Sequence, residues 1–254
     1  MRKKYFAWSF DDGLEQDKKI IGILKRYGLG ATFHLNSGLF GDKTWEGRIG
    51  NLGMTETPAD KFDPGKKHLL PYVPHFRIQA DEVKQVYEGF EIAAHTCHHV
   101  NLARCDESKR REEIAGDVEA LSKLFGRPVT GFAYPYGVGA KKSREALEAA
   151  GVQYARLATS KPGFRFPEDP LALPLSCWHI SKRIFDRLEE FFRAEAEEDL
   201  FFLMFAHGYE FDFGTKESNW SKFERICETV ARQDGIVCCA IGEALRQHKE
   251  SSHG

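Results

Sequence analysis

Short apolar runs alternate along the chain with amphipathic stretches, and this alternation predicts its secondary structure. Apolar runs of roughly 4–8 residues are typical of buried strands, whereas apolar residues spaced three and four apart are typical of helices that pack on a sheet. The predicted strands are residues 5–10, 31–35, 90–94, 131–134, 153–157, 174–177, 200–206 and 236–239. The predicted helices are residues 17–27, 80–87, 108–125, 141–150, 184–198 and 220–232.

The order of these elements indicates the fold class. Strands that alternate with helices favour a parallel sheet, because each helix carries the chain back to the start of the next strand. The length of 254 residues is close to the roughly 250 residues of a typical single α/β barrel. We therefore predict an α/β protein with a distorted, TIM-barrel-like (β/α) barrel of about seven parallel strands. We expect residues 1–254 to form one domain, with its site at the carboxyl ends of the strands.

One segment interrupts the alternation. Residues 36–78 contain many glycines, prolines and charged residues and show no clear period. A loop of this length in a compact domain is usually functional or a local insertion. We predict a loop insertion that covers the strand ends.

Composition and charge exclude several classes of partner. The formal net charge is −2 and no long basic run is present, which argues against nucleic acid and anionic membranes. No stretch approaches the roughly 20 apolar residues of a membrane span. Six cysteines without a C-x-x-C pair indicate reduced thiols. The apolar run after the basic start ends at Asp11, too early for a signal peptide, so we predict a cytoplasmic protein.

Two adjacent carboxylates follow the first predicted strand. The apolar run from Tyr5 to Phe10 leads directly into Asp11, Asp12 and Gly13. Like charges this close raise each other's pKa, and a bound cation removes that penalty. One aspartate can then ligate a metal while the other stays free as a base. The alternative is an ordinary Asp-Gly turn, and the partners supplied by the rest of the chain decide between the two.

Two histidines follow the third predicted strand. His95 and His99 are four positions apart, so one helical turn would place both imidazoles on the same side. Together with Asp12 they form a set of two histidines and one carboxylate, which leaves coordination positions open for water and substrate. Each group follows a strand, so a barrel would bring them together, and we predict a metal site. Cys97 and His98 are alternative ligands.

Two further strand ends carry candidate groups. The segment Tyr134-Pro135-Tyr136-Gly137 indicates either a simple turn or a rigid loop whose backbone N–H faces a developing oxyanion and whose tyrosines line a sugar site. His207 follows the very apolar strand 200–206. It is either a structural histidine or a general acid.

Together these motifs resemble those of the polysaccharide deacetylase family, carbohydrate esterase family 4. The motifs that carry the resemblance, in the family order, are Ser9-Phe10-Asp11-Asp12-Gly13, His95-Thr96-x-x-His99, Tyr134-Pro135-Tyr136-Gly137 and Phe205-Ala206-His207. Each motif is short, but the set of four is specific and spans residues 9 to 207.

The resemblance implies a distorted (β/α) barrel and one divalent metal ion, with zinc favoured over cobalt, nickel, iron or manganese. It implies that Asp12, His95 and His99 hold the metal. It also implies that Asp11 is the general base and that His207 protonates the leaving amine. The implied activity is removal of an N-acetyl group from a sugar or a related amide by water.

Other positions concern the substrate. The resemblance implies that the backbone N–H of Tyr136 helps to bind the oxyanion, within the loop that Tyr134 and Pro135 shape. Trp178, near the short strand 174–177, is a candidate to line a sugar site, although tryptophans in apolar surroundings are more often part of the core.

This chain departs from the family at one functional arginine. The arginine that orients the catalytic aspartate usually lies two residues before the motif proline, where this chain has Ala133. The Asp-Trp motif that pairs with it is not recognisable. Our candidate for the missing guanidinium is Arg156, at the end of the next strand, and the alternative is that Arg156 pairs with a surface acid.

Three functions remain open on the sequence alone. The first is N-acetyl hydrolysis, and the lack of a recognisable export signal favours a small intracellular or nucleotide-linked substrate over a cell-wall polymer. The second is hydrolysis of another C–N bond in a cyclic amide or imide, which a related branch of the family performs, sometimes without metal. The third is carbohydrate binding without catalysis, against which the retained acid and base argue. The oligomeric state is not predicted.

Overall fold

The structure, a computed structural model, describes residues 2–48, 54–58, 72–195 and 197–252. The strands are β1 Lys4–Asp11, β2 Ala31–Leu35, β3 Lys43–Arg48, β4 Met54–Pro58, β5 Tyr72–Phe76, β6 Glu91–Ala94, β7 Gly131–Ala133, β8 Tyr154–Ser160, β9 Leu173–Leu175, β10 Cys177–Trp178, β11 Leu200–His207 and β12 Ile236–Cys238. The α-helices are α1 Asp17–Tyr27, α2 Val83–Val86, α3 Glu107–Phe125, α4 Ala140–Ala149, α5 Ile184–Arg193, α6 Trp220–Ala231 and α7 Ile241–Ser252.

A parallel sheet forms the body of the fold. Its strand order is β10-β11-β1-β2-β6-β7-β8-β9, and β12 also pairs with β1. The two ends of this order meet at Ser176, whose Oγ donates to the carbonyl of Phe201 at 3.3 Å and accepts from the N–H of Leu203 at 3.1 Å. The sheet is thus nearly closed into a barrel, which confirms the predicted fold class, with eight strands on this path.

Side-chain alternation along β1 and β11 separates two regions of the core. Tyr5 and Ala7 pack with Leu203 and Phe205 in a small cluster enclosed by the strands. The alternate residues of the two strands, such as Phe6 and Phe202, pack in a larger cluster that includes helix residues such as Ile20. Because successive side chains of a strand point to opposite faces, the last residue of β1 shares the face of Tyr5 and Ala7, so its carboxylate points into the barrel.

The predicted helices are present, with differences at several ends. The observed bounds of α1 match the prediction, and Gly28 ends it with a φ of 65°. The longest helix begins at Glu107 because Asp106, rather than Ser108, caps it by accepting from the N–H of Lys109 at 2.8 Å. The helix predicted over 184–198 ends at Arg193.

The C-terminal helix α7 was not predicted. Its first turn carries the buried residues Ile241 and Ala244, and the rest of the helix is mainly polar. Two buried positions are too few to show a helical period in the sequence. In the structure both residues pack in the small core cluster.

The segment predicted as a loop insertion contains a second sheet. Strands β3, β4 and β5 form an antiparallel sheet in the order β4-β3-β5. The prolines Pro58 and Pro74 lie in its two edge strands, where a missing N–H is tolerated. These prolines and Gly47 obscure the strand pattern, so the prediction of a loop is wrong for these residues. Residues 49–53 and 59–71 of the predicted insertion lie outside the described residues.

The small sheet is attached to the chain that follows β1. The N–H of Glu15 donates to the carbonyl of Phe76 at 2.8 Å, and the N–H of Ile78 donates to the carbonyl of Gly13 at 2.9 Å. The side-chain amide of Gln16 donates to the carbonyl of Pro74 at 2.8 Å. Strand β5 is therefore held directly beside the end of β1.

All six cysteines are free thiols. Burial raises the pKa of Cys97 to about 11 and that of Cys239 to about 12, so both remain protonated at neutral pH. None of the helices in the described ranges combines the length and apolar character that a membrane crossing requires.

We expect Phe202→Ala to lower the free energy of unfolding by about 3–5 kcal/mol, because it opens a cavity among aromatic rings. Phe202 is fully buried and stacks on Phe6 and Phe164, with ring centroids 5.6 and 5.7 Å away. Urea unfolding measures the change. The control Lys123→Ala, at an exposed position of α3, should stay within about 0.5 kcal/mol of the parent, and an equal loss in both variants would contradict the prediction.

Candidate active site

A cavity of about 890 Å³ opens at the carboxyl ends of the barrel strands. It gathers most of the residues predicted for the site. The predicted residues that line it are Asp11, Asp12, His95, His99, Tyr134, Tyr136, Arg156, Trp178 and His207. Pro135 is buried and is not part of the lining.

Strand register explains why these residues meet. Asp11, the last residue of β1, pairs with His207 at the end of β11 and with His34 in β2. Ala133 of β7 pairs with Arg156 of β8. In a parallel barrel these positions lie at the same end, so residues far apart in sequence surround one cavity.

Asp12, His95 and His99 form a candidate metal site. Asp12 Oδ1 lies 3.7 Å from His99 Nε2 and 3.8 Å from His95 Nε2, and one donor atom from each of the three lies within 4.8 Å of the others. Two ligand atoms about 2.1 Å from one tetrahedral ion are about 3.4 Å apart, so these separations suit a single ion.

The environment of the three groups also fits a metal. Asp12 Oδ1 is buried and accepts no hydrogen bond from the residues that the structure describes, which is costly for an anion unless a cation lies beside it. Burial lowers the pKa of His95 to about 3 and also lowers that of His99, so both are neutral, the form that ligates metals. His95 Nδ1 lies 2.8 Å from the carbonyl of Ala133. This contact places the proton on Nδ1 and leaves Nε2 free to bind a metal.

The segment that carries the two histidines is a strained turn rather than the predicted helical turn. Thr96 and His99 have φ values of 65° and 52°, a region that non-glycine residues seldom adopt. Asp117 of α3 holds the turn by accepting from the N–H of His95 at 2.8 Å. The amide of Asn36 donates to the carbonyls of His95 and Thr96 at 2.7 and 2.9 Å. The two imidazoles still face each other, with ring centroids 4.9 Å apart.

The alternative ligands Cys97 and His98 are directed elsewhere. His98 Nδ1 lies 2.9 Å from Glu113 Oε1, and the same oxygen lies 3.0 Å from Lys109 Nζ. Cys97 Sγ lies 3.8 Å from the hydroxyl of Ser37. Neither residue lines the cavity. Although Cys97, His98 and Glu113 lie close enough together to be a second metal-ligand group, Lys109 already supplies positive charge there.

Arg156 pairs with Asp11, as the sequence hypothesis required, rather than with a surface acid. Its Nη2 donates to both oxygens of the Asp11 carboxylate, and the two side chains are 1% and 4% exposed. His34 Nδ1 lies 3.3 Å from Asp11 Oδ1. Burial by itself would raise the pKa of Asp11, but Arg156, His95 and His34 outweigh it and hold that pKa well below the usual range.

His207 is paired with a carboxylate three residues along the chain. Glu210 Oε2 accepts from the N–H of His207 at 2.8 Å and lies 3.3 Å from its Nδ1. Burial disfavours the charged imidazole, but Glu210 outweighs this and raises the pKa of His207 to about 9. His207 Nε2 lies 3.8 Å from Asp12 Oδ2, so a protonated nitrogen faces the candidate metal site.

The predicted substrate residues differ in their surroundings. Tyr136 has a φ of 58° and a side chain 62% exposed, with its ring 4.7 Å from that of His99. Tyr134 is buried, and its hydroxyl donates to the carbonyl of Leu171 at 2.8 Å. Trp178 is half-buried and packs 5.4 Å from the ring of Phe205. Tyr136 and Trp178 therefore offer aromatic surface to a ligand, whereas the Tyr134 hydroxyl is already engaged.

Sequence reasoning missed several lining or neighbouring groups. His34 is the residue before the last in the apolar strand β2, so a polar residue near a strand end was the signal that could have found it. Glu46, His75 and Arg77 line the cavity from the small sheet or the residue after it. No local signal identified them, because the strand pattern of that segment is obscured.

Comparison with known proteins finds one family. A sequence model described as polysaccharide deacetylase matches residues 1–155. The structure is similar to peptidoglycan deacetylase PdaC from Bacillus subtilis, at 15% identity and a TM-score of 0.55, over 99% of this chain and 94% of that one. It is also similar to a family 4 carbohydrate esterase from Streptomyces lividans in complex with acetate, at 14% identity and a TM-score of 0.51, over 92% of this chain and 91% of that one. Likenesses at these identities show the fold.

A third similar structure is matched over only part of its length. It is the deacetylase PplD from Streptococcus pyogenes in complex with acetate, at 16% identity and a TM-score of 0.48, over 65% of this chain. The match covers 61% of the PplD chain, less than two thirds of its length. No curated protein shows a significant match to the sequence.

We expect Asp12→Ala to abolish binding of one equivalent of Zn²⁺ or Co²⁺, because it removes the carboxylate that both histidines face. Metal content after reconstitution and dialysis measures this. His98→Ala is the matched control, since it removes a neighbouring imidazole that does not line the cavity, and it should keep its metal. Equal metal content in Asp12→Ala and the parent protein would contradict the assignment.

Proposed function

Since this chain belongs to the polysaccharide deacetylase family, a family of hydrolases of non-peptide C–N bonds, we propose that it removes an N-acetyl group from a sugar or a related amide in a metal-dependent reaction. The observation that carries the proposal is the arrangement of three functions in one cavity. Asp11, His207 and the candidate ligand Asp12 lie side by side at the ends of β1 and β11.

Asp12, His95 and His99 would hold the metal. A divalent ion there supplies a Lewis acid for the amide carbonyl and lowers the pKa of a water molecule. Two imidazoles and one carboxylate suit zinc, and manganese, iron, cobalt and nickel bind such nitrogen and oxygen sites in order of rising affinity.

Asp11 is the proposed general base that takes the proton of the attacking water. Arg156 and His34 keep its carboxylate ionised and fix its orientation. The same contacts lower the basicity of Asp11, so its efficiency as a base depends on how well the carboxylate is positioned. Holding a reacting group in place can remove several kcal/mol from a barrier, and a buried, doubly contacted carboxylate satisfies that requirement.

His207 is the proposed general acid. Its Nδ1 faces Glu210 and its Nε2 faces Asp12, so Nε2 is the atom that can pass a proton to the leaving nitrogen. The Glu210 carboxylate keeps the imidazole charged at neutral pH. An amine leaves readily only when protonated, so this charge serves the cleavage step.

The remaining predicted residues would bind the substrate. The proposed oxyanion contact is the backbone N–H of Tyr136, in a turn fixed by its positive φ. Trp178 and the exposed ring of Tyr136 offer flat apolar surface of the kind that suits sugar rings. A cavity of about 890 Å³ falls within the range of small-ligand sites, about 300–1,000 Å³, and would accommodate a short N-acetylated saccharide.

We expect Asp11→Asn to lower kcat for acetate release by about 10²–10⁴-fold, because the amide cannot accept the water's proton. Acetate is measured with chitin oligosaccharides and N-acetylglucosamine as substrates and Zn²⁺ or Co²⁺ present, and the variant's metal content serves as the control. Unchanged turnover would remove Asp11 as the base. If the parent protein opens a cyclic imide and releases no acetate from any N-acetyl sugar, the alternative C–N hydrolase is supported instead.

We expect Arg156→Ala to lower kcat by about 10²-fold, the cost of misplacing a reacting group, and to reduce stability by about 3–5 kcal/mol, because it leaves a buried carboxylate without its partner. Ala133 pairs in register with Arg156. The double variant Ala133→Arg, Arg156→Ala should therefore recover part of the rate by returning the guanidinium to the family position. Turnover is compared per folded molecule, with the folded fraction taken from urea unfolding. Full activity in Arg156→Ala would show that Asp11 needs no arginine.

A further inference from the structure

The small antiparallel sheet contributes a residue to the candidate metal site, and we propose that His75 of β5 is a positioning residue for the metal ligand Asp12. The proposal rests on the proposed function, because it takes Asp12 as a ligand. His75 Nε2 lies 3.1 Å from Asp12 Oδ2, and the two side chains are 4% and 5% exposed. Nothing in the family motifs of the sequence points to this residue.

The two oxygens of the Asp12 carboxylate have different neighbours. Oδ1 faces His95 and His99 at 3.8 and 3.7 Å. Oδ2 accepts from His75 at 3.1 Å. The terminal torsion of an aspartate is soft, so a hydrogen bond to one oxygen is needed to hold the other towards a metal. Carboxylate ligands of metals are commonly fixed in this way by a second group.

The partners of the His75 ring determine which of its two nitrogens carries the proton. Thr44 lies opposite His75 in the β3–β5 pairing, and its Oγ1 lies 3.0 Å from His75 Nδ1. A neutral imidazole that donates from Nε2 can accept at Nδ1, and the threonine hydroxyl lies where it can donate to that nitrogen. The same hydroxyl lies 3.1 Å from the carbonyl of His75. The anionic Asp12 favours the His75 tautomer whose Nε2 carries the proton, because that nitrogen then donates to the carboxylate.

The position of His75 is fixed relative to Asp12. Strand β5 and the residues after it bond to the chain just after Asp12. The N–H of Glu15 donates to the carbonyl of Phe76 at 2.8 Å, and the N–H of Ile78 donates to the carbonyl of Gly13 at 2.9 Å. The His75 ring also packs edge-on against Tyr209, with centroids 5.0 Å apart. Asp12 itself has a φ of 79°, a strained conformation that persists only when its surroundings hold it.

His75 acts through Asp12 rather than as a further ligand. Among the described residues, the ligand group around Asp12 with mutual distances below 4.8 Å consists of Asp12, His95 and His99. A nitrogen that donates its proton to Asp12 has no lone pair for a metal. The prediction is therefore weaker metal binding after loss of His75, and not loss of a coordinating atom.

The experiment measures Co²⁺ affinity and the visible absorption of bound Co²⁺, with no substrate present. His75→Leu removes the donor and should bind Co²⁺ about 10–100-fold more weakly, with an altered spectrum. His75→Gln keeps an N–H at a similar reach and should recover most of the affinity. Trp45→Leu is the matched control, because Trp45 packs on Phe76 in the same sheet with centroids 5.3 Å apart and does not line the cavity. It should bind Co²⁺ as the parent does.

Each outcome decides between defined alternatives. Parent-like Co²⁺ binding by His75→Leu overturns the role of His75 and leaves the proposed deacetylase intact. Failure of His75→Gln to recover affinity, or an equal loss in Trp45→Leu, assigns the effect to sheet packing and also overturns it. If the parent protein binds no Co²⁺, the metal-dependent function itself fails. If circular dichroism shows that His75→Leu does not fold, His75→Phe, which keeps a ring but donates no hydrogen bond, takes its place, and parent-like Co²⁺ binding by that variant overturns the proposal.

Discussion

Two adjacent buried carboxylates impose the constraint on which the rest of this structure depends. Asp11 and Asp12 are 3% and 5% exposed, and burying an unpaired charge costs several kcal/mol. Their neighbours differ apart from His95, whose Nε2 lies 3.6 Å from Asp11 Oδ2 and 3.8 Å from Asp12 Oδ1. Arg156 and His34 contact Asp11. Imidazoles lie around Asp12, whose Oδ1 accepts no hydrogen bond from the described residues. In the proposed function, this division would leave Asp11 as the base and Asp12 as the metal ligand.

The parallel barrel is the means by which these partners meet. A carboxyl strand end in such a barrel has neighbours from several strands. The groups that lie near the two carboxylates are His34 of β2, His95 after β6, Arg156 of β8 and His207 of β11. The small sheet adds a partner from another direction, at His75. Local strain accompanies the arrangement, because Asp12, His99 and Tyr136 all have positive φ values. Such conformations cluster at sites where the surroundings fix them.

Local sequence signals predicted most of the barrel and the groups at its strand ends. Asp11, Asp12 and His207 each end an apolar run, a pattern that needs no knowledge of the fold. The small sheet and its His75 could not be predicted, because their order depends on pairing between short strands that contain glycine and proline. The same holds for Asp117, whose helical position gives no hint that it accepts the N–H of His95. Contacts between distant segments were missed wherever no motif marked them.

Arg156 contacts Asp11 from a position outside the family motif. The resemblance located a missing cation at Ala133, and the structure places a guanidinium on the neighbouring strand at the paired position. Adjacent strands lie about 4.8 Å apart, a distance that a long arginine side chain covers. Asp11 therefore receives the same neutralising charge from β8 that the family draws from the strand before it. The absence of a motif residue does not by itself mean that its side-chain group is absent, because a paired position on a neighbouring strand can supply that group.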